Sequence, residues 1–276
     1  MNAATADVPN RPLTRMLTRV LALGRAEAIL LLRNRTALFT ALAVPLLMVG
    51  GLRSILEQQA EQTPGLDLDA ALVNGVLGIV LLFVVYYNLT AAYVARRGEL
   101  VLKRLRTGEA GDLEILAGTA VPSVALALLQ FVVLGVAGAV LLDLPVPVNP
   151  LLMVAGLALI ITLLIALAAL SSAFTRTVES AGITTLPVLL ISQFGSGLLF
   201  PLTVMPDQLA TVCRALPATP ALQLLQLGWF GTNGSGPATD FAGSWAEAAP
   251  HLALAILWTA ASGWAARRWF CWEPRR

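Results

Sequence analysis

Apolar blocks of about twenty residues alternate with short polar stretches along the chain, and a membrane span needs about 20 mainly apolar residues. Six blocks stand out, roughly 36–55, 71–93, 121–142, 151–174, 182–199 and 248–266. Between the second and third lies the one long, strongly charged segment, Tyr93 to Gly118. On a helical wheel its Val101, Leu102 and Leu105 fall on one side, and Arg96, Glu99, Lys103 and Arg106 on the other. Glu99 precedes Lys103 by four residues, the favourable order for a helical ion pair. The pattern predicts a short amphipathic inner helix over 96–107 directly after a span. Gly108 and Gly111 break it, and Asp112 is placed to cap the helix that follows.

The first 12 residues are polar and hold Pro9 and Pro12, which predicts a disordered tail. No apolar core follows directly, so the tail does not read as a cleavable signal. Over 13–35, Leu13, Met16, Leu17, Val20 and Leu31 share one face while Arg15, Arg19 and Arg25 take the other. That suits an amphipathic helix in the membrane interface; a cytosolic helix packed on a partner is the competing reading. Pro45 should kink the first span. Arg53, near its outer end, should snorkel outward or pair with Glu57, and Glu57 to Asp69 is expected to be an acidic outer loop. Phe200 to Leu227 is apolar but punctuated by Pro201, Pro206, Pro217 and Pro220. No unbroken span fits there, whereas a re-entrant hairpin in the outer leaflet does. Trp229 to Trp245 is expected as a polar loop.

Composition excludes a soluble domain. Of 276 residues, 57% are hydrophobic and 12% charged, the mean hydropathy is +0.78, and soluble domains carry about a quarter charged residues. The basic residues gather at the amino end, in the charged segment, at Arg176, and at Arg267, Arg268, Arg275 and Arg276 near the carboxyl end. Six spans place these four clusters on one side, which the positive-inside rule makes cytoplasmic. Trp264 and Trp269 mark an interface. The expected architecture is an all-α membrane protein: six transmembrane helices, an N-terminal interface helix (13–35), an inner coupling helix (96–107) and a re-entrant outer hairpin (200–227). Residues 13–276 are expected to form one membrane-spanning domain behind a 1–12 tail, with both termini cytoplasmic.

Candidate chemistry is sparse. Lys103 is the only lysine and follows Leu102, so no Gly-Lys-Ser/Thr step exists to hold nucleotide phosphates. If ATP drives transport, another chain binds it. Cys213 and Cys271 fall on opposite sides of the expected topology, so no disulfide is expected, nor a metal site. His251, beside Pro250, reads as an interfacial polar residue. No Asp or Glu occupies a span centre and no internal repeat is visible, which disfavours the alternative of an ion-coupled secondary transporter. Ser192 and Ser196 lack a nearby His or Lys and read as helix-packing residues rather than nucleophiles. Asn74, Asn88, Gln130 and Gln193 are too scattered for a channel stripe.

Two runs resemble a known family. The inner run is Arg97-Gly98-Glu99-Leu100, Leu102, Leu105-Arg106-Thr107 and Glu114-Ile115-Leu116-Ala117-Gly118. The outer run is Gly197-Leu198-Leu199-Phe200-Pro201-Leu202, Met205-Pro206 and Leu216-Pro217-Ala218-Thr219-Pro220. Together they resemble the type-2 ABC export permeases, over nearly the whole chain. Gly108 stands where that family often has Pro after Thr, and Thr119 where it often has Lys after Gly. The resemblance implies a half-transporter without catalytic or metal-binding residues, and without a cofactor of its own; ATP and Mg would sit on a partner. That partner is an ATP-binding cassette ATPase subunit, with a second permease chain, identical or not, and membrane lipid completing the assembly; nucleic acid has no part in it. It implies ATPase coupling through Arg97, Gly98, Glu99, Leu102, Arg104, Leu105 and Arg106. It implies a translocation path or outer gate at Asn88, Gln193, Phe194, Phe200 and Leu202. The expected cargo is a small hydrophobic compound (drug, antibiotic or lipid), exported across a bacterial plasma membrane.

Overall fold

The computed structural model describes residues 35–62, 67–106, 111–234 and 237–273. The expected tail, nearly all of the interface helix, Thr107, Gly108 and the last two arginines lie outside the described residues. Every regular element among the described residues is helical. They are α1 (Arg35–Gln62), α2 (Leu68–Gly98), α3 (Val101–Arg106), α4 (Asp112–Leu141), α5 (Pro150–Phe174), α6 (Val178–Gly195), α7 (Asp207–Arg214), α8 (Thr219–Phe230) and α9 (Phe241–Trp269). Among the described residues α2, α4 and α5 are long and apolar enough to cross a membrane. The runs of α6 and α9 are interrupted by Glu179 and Gln193, and by Glu247 and His251. The outward face of α4 is plainly apolar: Val136, Val140 and Leu141 are 60%, 72% and 75% exposed. Surface of that kind belongs in lipid rather than water.

The bundle is built around α5. Helix α8 packs along its first half, α9 along one side, and α2 along its second half. Two glycines bring α5 and α8 into backbone contact. A Cβ on Gly156 would lie 2.6 Å from Leu225 N, and one on Gly228 would lie 2.3 Å from Met153 N. Small residues at a helix crossing allow this approach where no water-driven hydrophobic effect operates between spans. All twelve residues of α8 are buried.

Asn149 joins three helix ends. Its Oδ1 accepts from Leu152 N at 3.1 Å and caps α5, with Pro150 at the first helical position. Its own N–H donates to Gly228 O near the end of α8 at 2.8 Å. Its Nδ2 donates to Ser244 Oγ at 2.9 Å in the first turn of α9. The residue is fully buried.

Several expected boundaries are corrected. Helix α1 runs on to Gln62, so Glu57 to Gln62 are helical rather than part of the outer loop. The Arg53–Glu57 pair, 2.8 Å across one turn, and the fully buried Leu56 hold this extension. The inner helix expected over 96–107 is divided. Arg96 to Gly98 finish α2, Leu100 takes φ 60, and α3 starts at Val101. The last turn of α2 is closed by Glu99 N to Ala95 O and Leu100 N to Arg97 O. Asp112 does not cap α4. It is the first helical residue; the cap is Gly111, whose N–H donates to Glu114 Oε2 at 3.0 Å. Helix α6 ends at Gly195, short of the expected Leu199. The loop expected from Trp229 begins at Gly231, whose φ of 70 ends α8 in a left-handed cap. Helix α2 itself is not uniform: Leu82–Tyr87 is π-helical, with Asn88 N bonding Phe83 O.

Candidate functional site

At one end of the bundle α2 turns into α3. Arg97 does not reach the surface: it is 1% exposed, donates from Nη1 to Ser172 O at 2.8 Å, and donates from Nη2 to Thr175 O. Those carbonyls end α5, where a cation also meets the negative pole of the helix. Leu102 is fully buried and Leu105 half-buried. Gly98, Glu99, Arg104 and Arg106 are exposed. The expected coupling set therefore separates into a buried clamp, Arg97, a seated apolar face, and a charged ledge.

The segment after α9 closes onto this ledge. Lys103 Nζ lies 2.7 Å from Glu273 Oε1, and Arg106 Nε lies 3.1 Å from Asp112 Oδ1. The Arg106 guanidinium also sits 4.9 Å over the Trp272 ring. Behind them Phe270 meets Tyr93 edge-on at 5.9 Å and Trp272 at 4.9 Å. All four ion-pair side chains are about half exposed or more. Exposed pairs contribute roughly 0–1 kcal/mol each, so they shape the ledge without locking it. Sequence reasoning missed Trp272 and Glu273; the aromatic run at 269–272 was the available signal.

At the opposite end, the turn after α6 is keyed into α2. Gly197 takes φ 77, and fully buried Leu198 fills a notch over Gly75 and Gly78. A Cβ on Gly78 would lie 2.2 Å from Leu198 Cδ2. Phe194 and Phe200 stack across the turn at 6.2 Å and 21°, each nearly half exposed. Leu199 N donates to Gln193 O at 3.2 Å, so Gln193 belongs to the same turn, as does half-buried Leu202. Asn88 does not. It is exposed on α2, ten residues beyond Gly78, or about 15 Å along the helix.

The prolines partition the segment expected as a hairpin. Pro206 precedes α7 and Pro220 sits in the first turn of α8, where missing N–H groups cost least. The Thr219 hydroxyl donates to Cys213 O at 2.7 Å and lies 2.9 Å from Ser196 Oγ, stitching α6, α7 and α8 together. Cys213 is buried and Cys271 half-buried; both are free thiols.

Two cavities lie beside α2, one of them at the turn. One, of about 20 Å³, is polar and is lined by Asn74, Ser196, Thr203, Gln223 and Gln226. Asn74 Oδ1, Thr203 Oγ1 and Gln223 Oε1 are buried there without a protein partner. Such atoms are costly to leave unpaired, and the space suffices for a water or one small polar group. The other, of about 250 Å³, lies between α1, α2 and α4 with an entirely apolar lining that includes Val76, Leu134 and Trp229. Among the described residues no group of three or more His, Cys, Asp or Glu could hold a metal ion.

Residues 18–230 match the family model described as ABC-2 type transporter. No curated protein matches the chain.

Proposed function

Because the chain belongs to the ABC-2 type transporter family, the transmembrane component of ABC transporters, we propose that it is the permease subunit of an ATP-driven exporter. Such permeases normally work with an ATP-binding cassette subunit. The sole lysine, Lys103, stands outside any Gly-Lys-Ser/Thr step, which supports ATP hydrolysis on that separate chain. In this reading the protein crosses a bacterial plasma membrane six times with both termini in the cytoplasm. The Phe200 to Leu227 region is a re-entrant outer hairpin. Two permease chains pair, and a small hydrophobic compound leaves between them.

The observation that carries the proposal is the double attachment of α2. One end of this 31-residue helix holds the notch filled by Leu198. The other ends at Arg97 and continues into the charged ledge of α3. A push on Glu99, Arg104 and Arg106 by a docked ATPase therefore has a rigid route to the turn bearing Phe194, Phe200 and Leu202. Those residues serve as an outer hydrophobic gate, with Gln193 beside them and Asn88 farther along the path.

Reconstitution tests the proposal. Proteoliposomes containing this chain and its cognate Walker-type ATPase should move a hydrophobic fluorescent dye only when ATP and both chains are present. Dye movement by the permease alone under a proton or sodium gradient would instead establish the ion-coupled reading.

A further inference from the structure

An apolar groove of about 870 Å³ lies between α4 and α9, with α5 as its floor, toward the end of the bundle that carries α3. Small side chains make it deep. Ala166 and Thr162 form part of the floor, and the Thr162 hydroxyl is taken up by Ala158 O at 2.7 Å. On α9 the wall includes Gly263, where an added Cβ would meet nothing within 4 Å.

The mouth is different in character. Arg267 lines it, and both Arg267 and its neighbour Arg268 are exposed. Among the described residues neither makes a hydrogen bond or ion pair. Trp264, also in the lining and 65% exposed, meets Trp269 edge-on at 5.7 Å. Tryptophans of this kind sit at headgroup depth. The groove thus runs from the hydrocarbon level to two cations at the membrane surface.

We propose that this groove is a binding site for an anionic glycerophospholipid, one acyl chain lying along Ala166 and Gly263 and the phosphate meeting Arg267. An unfilled wall of this size would forfeit dispersion contacts, and an acyl chain from the surrounding bilayer restores them. A planar guanidinium matches phosphate oxygens in a paired geometry, and the second arginine raises the preference for a net negative headgroup. Helices α4 and α9 pack little on one another, and the lipid supplies contact between them. This inference rests on the spans and the groove alone, not on ATPase coupling.

The test is native mass spectrometry of the full chain released from detergent containing equal phosphatidylglycerol and phosphatidylcholine. The wild type should retain phosphatidylglycerol about fivefold or more over phosphatidylcholine, the ratio expected per surface arginine. Arg267→Gln should bring that ratio toward one while acyl binding persists. Gly263→Leu, whose side chain grows into open space, should lower retention of both lipids. Equal retention of the two lipids by the wild type, or wild-type retention by Gly263→Leu, would overturn the site.

Discussion

Arg97 Nη1 donates to the carbonyl oxygen of Ser172 at 2.8 Å, joining the end of α2 to the end of α5 across 75 positions of sequence. The arginine closes the C-terminal pole of the helix around which the bundle is built. Its role is therefore positioning, and it differs in kind from the exposed residues that follow it.

Removal of this clamp has a specific expected result. Arg97→Ala should destabilise the protein by about 3 kcal/mol, the scale for charge-assisted hydrogen bonds to buried carbonyls, and lower the apparent Tm in detergent by about 5 °C or more. Arg97→Lys should recover only part, since an ammonium lacks the guanidinium fork. An unchanged Tm in Arg97→Ala would remove the clamp from the account.

Glu99 is exposed on the ledge, and its truncation should act on coupling rather than on folding. Losing one charged partner at a docked interface typically costs about 2–5 kcal/mol of binding. Glu99→Ala should weaken association with the ATPase by more than tenfold in co-purification while the Tm stays at the wild-type value. Unaltered transport-coupled hydrolysis would count against docking at this residue.

Asn149 separates its donor and acceptor functions. Asn149→Asp keeps the oxygen that caps α5 and loses the Nδ2 donor to Ser244, whereas Asn149→Ala loses both. Expected costs are about 1–3 kcal/mol for the lost buried hydrogen bond and about 1 kcal/mol more for the cap. Thermal unfolding followed by tryptophan fluorescence should rank wild type above Asp above Ala.

The two cysteines report topology. Cys271, half-buried beyond α9, should react with a membrane-impermeant maleimide only after the membrane is opened. Cys213, buried under α8, should stay unlabelled from either side until the protein is denatured. Labelling of Cys271 in intact cells would contradict a cytoplasmic carboxyl end.

The proposed outer gate is testable through α7, whose Leu209 and Val212 are 51% and 63% exposed. Cysteines introduced as Leu209→Cys and cross-linked between two protomers should stop export while ATP binding by the partner continues. Undiminished export with the hairpins locked would show that the segment only plugs the bundle.

The sequence displayed what depends on composition and local spacing. Apolar runs marked the long helices, prolines marked the breaks around α7 and α8, and of the two outcomes open to Arg53 the pairing with Glu57 is the one formed. What stayed hidden depends on distant backbone. Arg97 looked like a surface charge because arginine seldom buries without a partner; its partners are carbonyl oxygens, which leave no residue-type signature. Asn149 before Pro150 carried a readable helix-start signal, but not its links to α8 and α9. The docking of Trp272 and Glu273 on α3 likewise joins residues about 170 positions apart, beyond any periodicity.

The π-helical turn at Leu82–Tyr87 gives α2 a change of phase. An α-helix rotates about 100° per residue, and a π turn accommodates one residue more than α-helical winding would. Side chains beyond it are therefore offset by roughly 100° from the direction an uninterrupted helix would give them. Gly75 and Gly78 meet Leu198 before the offset; Tyr93 and Arg97 meet Leu116 and Ser172 after it. Deleting one residue within 82–87 would let the turn wind as α-helix with Gly78 and Arg97 still on their present bearings, whereas α-helical winding at unchanged length would swing Arg97 by about 100° away from the end of α5. The irregular turn is what lets a single rod meet Leu198 near one end and Ser172 at the other on different compass bearings.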